Sequence, residues 1–393
     1  MKKRFLFHEL KKYLTHKNVL VITGMRQVGK TTLMKQLFSE IDGAKLWFDF
    51  ENPLDTLYFE NVNYDAIYET LSKEASSAGN ELFVFIDEIQ NLPEITKIVK
   101  YHIDKYRVKY VVTGSSNYYL RNFFPESLSG RKFLFVLHPM NFTEYLYFAG
   151  KADNPVIEKN CENISASNSL IQFKKFESEY NDFIEFGGFP EVVVTQDKRT
   201  KLLILKNIFA SFFEKDIRIL SDLKDIRELR DLILLLAPRV GNILDISKIS
   251  NELKITRAKV YNYLELLQGF FFLYLIPKFT KSIDRAVAGG KKVYFTDTGL
   301  LNIVGKVNEG QLFENAVANQ LREYGELSYY NVRNKAEIDF ILNKQVAFEV
   351  KLNAVEKDFK KLKRLSDKLG IEKYFLISEN FSDTPNTVSP MSL

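Results

Sequence analysis

The chain has 393 residues, 46% of them hydrophobic and 27% charged, with a formal net charge of +5; that length accommodates roughly two to four domains, each able to bury a core. A lone cysteine, Cys161, excludes an internal disulfide framework and any cysteine-based zinc site. No stretch approaches the ~18 apolar residues needed to cross a bilayer, so a cytoplasmic protein without a membrane partner is expected, and the mild positive charge permits nucleic-acid binding without arguing for it.

Residues 1–15 read as a short amphipathic lead-in helix. An apolar run, Val19-Leu20-Val21-Ile22, then meets Gly24-Met25-Arg26-Gln27-Val28-Gly29-Lys30-Thr31, and Thr32 opens a helical pattern. G-x-x-x-x-G-K-T between a strand and a helix is the P-loop arrangement. Gly24 and Gly29 let the backbone wrap a phosphate chain, with the N–H groups of Arg26, Gln27, Val28, Gly29, Lys30, Thr31 and Thr32 turned inward. Lys30 reaches the β- and γ-phosphates, and the Thr31 hydroxyl ligates Mg²⁺. The bland alternative is a glycine loop that only joins a strand to a helix.

Leu82–Ile86 is continuously apolar, as a strand buried on both faces must be, and ends in Asp87-Glu88 at the sheet edge where ligands bind. Asp87 is assigned to Mg²⁺ through water and Glu88 to the attacking water; an acidic turn without chemistry is the alternative. The next strand, Tyr110–Thr113, ends in Gly114-Ser115-Ser116-Asn117, where Ser116 or Asn117 would sense the γ-phosphate. Strands at 19–23, 45–50, 82–87, 110–114 and 132–137 alternate with helical patterns, which implies an α/β fold with a parallel sheet.

The stretch 150–170 reads as a connector, and 171–222 as a helical lid interrupted by a turn at Gly187-Gly188-Phe189-Pro190. Over 246–267 the pattern is helix, short turn, helix, and Phe270–Pro277 follows as a strand, a winged-helix outline. Arg257, Lys259 and Tyr261 fall early on the second helix, where base-reading residues belong; a protein-contact or lid module is the alternative.

In the last hundred residues, Ala336–Leu342 and Val346–Lys351 read as a hairpin about Lys344. Alternation then sets Asp339 across from Glu349, with Lys351 on the same face. Paired carboxylates suit Mg²⁺ or Mn²⁺, the lysine suits orientation or deprotonation of water, and Glu314 on a preceding helix would add a ligand. An ordinary cross-strand pairing of charges is the alternative. Residues 356–363 form a basic amphipathic pattern suited to a phosphate backbone or simply to solvent.

The order of these parts resembles a prokaryotic family of AAA-type P-loop ATPases with a C-terminal domain similar to the PD-(D/E)xK nuclease superfamily. Thr23–Thr32, Ile86-Asp87-Glu88-Ile89-Gln90, Thr113-Gly114-Ser115-Ser116, Ser129-Gly130-Arg131, Gly187-Gly188-Phe189-Pro190, Phe295-Thr296-Asp297-Thr298-Gly299-Leu300 and Glu349-Val350-Lys351 carry the resemblance. It implies an ATPase core over 1–150, a helical lid over 151–222, a winged helix over 223–290 and a restriction-endonuclease-like α/β domain over 291–393. It further implies ATP and Mg²⁺ as cofactors, Asp339, Glu349 and Lys351 as nuclease-type residues, and Arg131 as an arginine for the γ-phosphate in cis or from a neighbouring subunit. Glu337 stands near the first acidic position where the family has proline, and the lid holds no evident second sensor arginine. The expected function is ATP hydrolysis that controls a winged helix and a nuclease-like domain acting on DNA or RNA. A slow ATP-dependent signalling or scaffold switch with a non-cleaving C-terminal domain is the competing reading, and assembly into a homo-oligomeric ring stays open.

Overall fold

Apolar runs of five or six residues become strands in the first third of the chain because helices cover the sheet they form. In the computed structural model, which describes residues 2–75, 81–115, 130–153, 161–166, 169–217, 223–280, 289–332 and 336–393, the chain divides into two compact units. One is Met1–His138 with Gly269–Phe271; the other is Pro139–Gln268 with Phe272–Leu393.

In the first unit, α1 (Phe5–Lys12) precedes β1 (Val19–Thr23), α2 (Lys30–Ser39), β2 (Lys45–Asp49), α3 (Tyr64–Glu74), β3 (Phe83–Asp87), α4 (Ile95–Tyr106), β4 (Lys109–Gly114) and β5 (Lys132–Val136). The sheet is parallel throughout, in the order β2-β3-β4-β1-β5. β1 and β4 are wholly buried, as central strands covered on both faces require. Their C-terminal ends, Thr23 and Gly114, lie side by side, so the loops that follow share one edge.

The second unit begins with α5 (Phe142–Phe148), α6 (Leu170–Phe186), α7 (Pro190–Val194) and α8 (Lys198–Ser211). α9 (Leu223–Leu236), α10 (Ile246–Leu253) and α11 (Arg257–Gly269) follow, then an antiparallel ribbon of β6 (Leu273–Ile276) and β7 (Lys292–Phe295). The expected strand at 270–277 thus starts three residues later, because Phe271 turns the chain in the left-handed region at φ 57°. α12 (Thr298–Val304) and α13 (Glu309–Leu321) lead into β8 (Leu327–Val332), β9 (Ala336–Leu342), β10 (Val346–Lys351), α14 (Glu356–Leu369), β11 (Lys373–Ser378) and β12 (Thr387–Val388). The second sheet runs β12-β11-β10-β9-β8, with β8–β9–β10 an antiparallel meander and β11 parallel to β10 across α14. The spans 151–222, 223–290 and 291–393 are therefore mostly parts of one compact unit.

The paired glycines at 187–188 have a long-range cause. Asp297 caps α12 by accepting from Leu300 N at 3.0 Å, and its other oxygen accepts from Gly188 N at 2.8 Å. A Cβ on Gly187 would lie 2.2 Å from Asp297 Oδ1, and one on Gly188 would lie 2.0 Å from the Met140 carbonyl oxygen. Two sequence-distant motifs are thus one clamp. Among the described residues, no helix is long and apolar enough to cross a membrane.

Candidate functional site

The loop between β1 and α2 holds three left-handed residues, Gly24 at φ 145°, Gln27 at 64° and Gly29 at 96°. Such turns aim successive N–H groups into one concavity, at the end of a helix whose N-terminus favours anions. Gly24 is pressed against the end of β5: a Cβ there would stand 2.1 Å from the Leu137 carbonyl oxygen. Lys30 is 5% exposed, and its ammonium donates to the Gly24 and Met25 carbonyls at 3.0 and 2.9 Å. Arg26 pairs with Glu51 at 3.6 Å.

Asp87 ends β3 beside this loop. Its carboxylate accepts from the Thr113 hydroxyl. Burial pushes its pKa up, against the pull of the Thr113 and Thr31 hydroxyls, and the charges of Glu88 and Asp49 push the same way as burial. A hydroxyl and a buried, anion-crowded carboxylate form the hard oxygen set that Mg²⁺ takes, so Thr31 and Asp87 fit the ion. Glu88 adopts φ 52°, and its N–H donates to Thr113 Oγ1 at 3.1 Å, which fixes where its side chain leaves the strand.

Several participants have no role assigned from the sequence. Thr113 serves both Asp87 and Glu88. Gln90 donates to the Glu88 carboxylate and, at 3.2 Å, to the buried Ser115 hydroxyl, joining the end of β4 to the acidic pair. Arg4, before α1, donates to the Val28 carbonyl at 2.9 Å and the His138 carbonyl at 2.8 Å, bracing the P-loop from behind. Arginine in a charged N-terminal run gives no sequence sign of such a role.

Other expectations meet the structure differently. Ser116 and Asn117 lie outside the described residues. Arg131 precedes β5, whose first residue, Lys132, pairs with Val19 at the start of β1, while the P-loop leaves the far end after Thr23. Arg131 is therefore at the opposite sheet edge from the phosphate cradle, ion-paired with Asp104 at 2.8 Å. A four-residue advance along a strand is about 13 Å, which corrects the assignment of Arg131 to the γ-phosphate in cis. Lys259 is not presented for base reading: it pairs with Asp225 and Glu228 at 2.6 and 2.5 Å, whereas Tyr261 is exposed.

A second polar centre lies in the C-terminal sheet. The hairpin register pairs Phe340 with Phe348, which puts Asp339 across from Glu349. Asp339 accepts from Val350 N at 2.8 Å. Lys351 Nζ is 3.0 Å from Glu349 Oε1 and 3.8 Å from Asp339 Oδ2, and Lys361 of α14 reaches Glu349 Oε1 at 2.8 Å. Glu349 Oε2 is buried with no hydrogen-bond partner. Glu314, bonded by the Tyr294 hydroxyl at 2.7 Å, faces Lys292 at 3.7 Å, and Lys292 pairs with Glu337 at 2.7 Å. Burial and then the Asp339 charge push Glu314 up to about 7, and the same two causes raise Glu349. Burial opposes the charge on Lys351, yet Asp339 and Glu349 hold its pKa above the ordinary lysine value. Lys351 thus stands as a cation against both carboxylates, nearer to Glu349 than to Asp339. Among the described residues, no three histidine, cysteine, aspartate or glutamate side chains form a group that could hold a metal ion, so the expected set Glu314, Asp339 and Glu349 is not assembled as one.

A family model described as an AAA domain matches residues 16–146. With the parallel sheet and the glycine-framed loop, that match makes the N-terminal part of the chain similar to AAA-type P-loop ATPase domains. Two domains of unknown function, DUF8612 and DUF4143, match 177–311 and 309–391, and neither carries an activity with it. An uncharacterized protein of Methanocaldococcus jannaschii is 29% identical, covering 93% of this chain and 82% of its own length. One of Haemophilus influenzae is 29% identical, covering 86% of this chain and 85% of its own. Among solved structures, C. elegans PCH-2 overlaps at a TM-score of 0.30 and 16% identity, covering 48% of this chain and 57% of that one, too little for any structural inference.

Proposed function

We propose that the protein binds and hydrolyses Mg·ATP and uses the nucleotide state to control a second unit that engages nucleic acid. The observation that carries the first half is the run of left-handed residues Gly24, Gln27 and Gly29 before α2, with the buried carboxylate of Asp87 ending β3 at the same sheet edge. Bound Mg²⁺ would supply charge neutralisation between the phosphates, held by Thr31 and, through water, by Asp87. Arriving phosphates draw Lys30 from the Gly24 and Met25 carbonyls, and the N–H groups of 26–32 orient the chain. Glu88, steadied by Gln90, positions the attacking water.

Helices α10 and α11 with the β6–β7 ribbon support a winged-helix reading of that segment, and the unpartnered Oε2 of Glu349 beside Asp339 and Lys351 supports a nuclease-type cation centre. A DNA or RNA substrate follows from both. The competing reading, a slow ATP switch whose C-terminal centre only holds charge, is favoured by the lysines already paired to those carboxylates. Assembly into a homo-oligomer remains part of the proposal, because Arg131 at the far edge could serve only another subunit's nucleotide. Two variants test the ATP half. Lys30→Ala is expected to abolish binding of a fluorescent ATP analogue, while Glu88→Gln keeps binding and loses about 10²- to 10³-fold in turnover. Unimpaired turnover in Lys30→Ala refutes the reading.

A further inference from the structure

We propose that the exposed face of α14 is a docking surface for the sugar-phosphate backbone of a nucleic-acid duplex, delivering it to the Asp339–Glu349 centre; this rests on the nucleic-acid reading above. The helix is seated by one face: Leu362 and Leu365 are buried in a cluster with Ile338, Ile341, Ala347 and Leu376 of the sheet. The opposite face therefore has a fixed orientation, and Lys357, Lys363, Arg364 and Lys368 stand exposed on it.

These cations outnumber the acids on that face. Lys357, Lys363, Arg364 and Lys368 make no hydrogen bond or ion pair among the described residues, whereas Lys360 is taken by Glu356 at 2.8 Å. Of the helix's other acids, Asp358 is spent at the N-terminus, accepting from Val355 N at 3.1 Å, and Asp367, exposed beside Lys368, leaves a net positive face without pairing to Lys363, Arg364 or Lys368 among the described residues. A merely solvated helix face gains from i,i+4 pairs of opposite sign; this one leaves most of its cations without them. From Lys357 to Lys368 the helix rises about 16 Å, a length over which duplex DNA presents roughly nine phosphate charges.

Position gives the stripe its meaning. Lys361, between the exposed and buried faces, reaches Glu349 Oε1 at 2.8 Å, so the cationic surface borders the carboxylate pair directly. A backbone lying along α14 is thereby held beside Asp339, Glu349 and Lys351, and the anion field of those carboxylates is offset along the approach. Phosphate contacts of this kind set register without reading sequence.

The test uses the full chain, an about 30-base-pair fluorescein-labelled DNA duplex and an RNA duplex of matching sequence, titrated from about 50 to 200 mM salt. Replacing Lys357, Arg364 and Lys368 by Gln should weaken binding about 10- to 100-fold at intermediate salt. The slope of log affinity against log salt should fall by about 2.7, since each lost phosphate contact removes about 0.9. ATP turnover without nucleic acid should be unchanged, which also shows the variant is folded. The equal-charge control, Gln at Lys174, Lys198 and Lys224, should bind as the parent does. If the parent binds a duplex and the α14 variant keeps its affinity and slope, or the control loses as much, the α14 surface is refuted while the nucleic-acid reading stands. If the parent binds neither duplex at the lowest salt, the nucleic-acid reading itself falls.

Discussion

Gly24→Ala tests whether the phosphate cradle depends on one close backbone approach. The new Cβ would sit 2.1 Å from the Leu137 carbonyl oxygen at φ 145°, where ordinary Cβ contacts begin near 3 Å, so loop and strand must separate by about 1 Å. Leu137 cannot yield freely, because its N–H donates to the Thr23 carbonyl at 2.7 Å and ties β5 to β1. Backbone strain of about 1–3 kcal/mol adds to overpacking of about 1–3 kcal/mol. The cheaper escape is displacement of the loop, which moves the N–H groups and Lys30 together. A misplacement of about 1 Å costs on the order of 10²-fold in rate. Steady-state ATP turnover and binding of a fluorescent ATP analogue should therefore both fall by about that factor. Gly43→Ala, where nothing lies within 4 Å of the added carbon, should leave both unchanged. ATP affinity within about threefold of the parent in Gly24→Ala refutes the argument.

Calorimetry of Mn²⁺ with the nucleotide-free chain should show a binding event lost in both Asp339→Asn and Glu349→Gln but retained in Thr31→Val; equal isotherms refute a cation centre at the hairpin. The second unit should lose stability as pH rises from about 4 to 7. Burial pushes Asp297 from 3.8 to about 6 and Glu314 from 4.5 to about 7, so each carboxyl favours the fold when protonated and opposes it once ionised, by about 3 kcal/mol per group. Hydrogen exchange in α12 should quicken over that range, and less so in Glu314→Gln; exchange that slows with rising pH, after correction for intrinsic rates, refutes the assignment.

The parts legible in the sequence are those set by neighbours a few residues away. Val19–Thr23 and Phe83–Asp87 announce buried parallel strands by lacking any polar residue before their ends, and the glycine spacing at 24–29 announces the loop. The pairing of Asp339 with Glu349 follows from strand alternation and a turn at Lys344, because both strands have a period of two. What the sequence hides is partnership across the fold. Arg4 and Val28 are 24 residues apart, and Asp297 and Gly188 are 109 apart; composition carries no sign of either. Arg131 follows a promising loop, yet strand register puts it at the wrong edge. Lys259 begins a helix as a reading residue would, and two acids of α9 take its charge.

The two polar centres are prepared in opposite ways. At the P-loop, Lys30 rests on backbone carbonyls, partners that phosphate oxygens replace with stronger, charge-assisted bonds. Asp87, crowded by Glu88 and Asp49, is relieved by an arriving cation. Binding there improves groups that are poorly served without it. At the hairpin, Lys351 and Lys361 already neutralise Glu349, while Lys292 serves Glu314 and Glu337. A divalent ion must displace or share with ammonium groups that the chain itself supplies, and among the described residues of that sheet Glu349 Oε2 is buried without a hydrogen-bond partner. The same field that weakens metal binding keeps four carboxylates folded against one another. Removing Lys292 should therefore drive Glu314 towards its protonated form rather than free a ligand, because the lysine charge is what opposes burial and the Asp339 charge there, and a buried carboxyl without its cation neutralises.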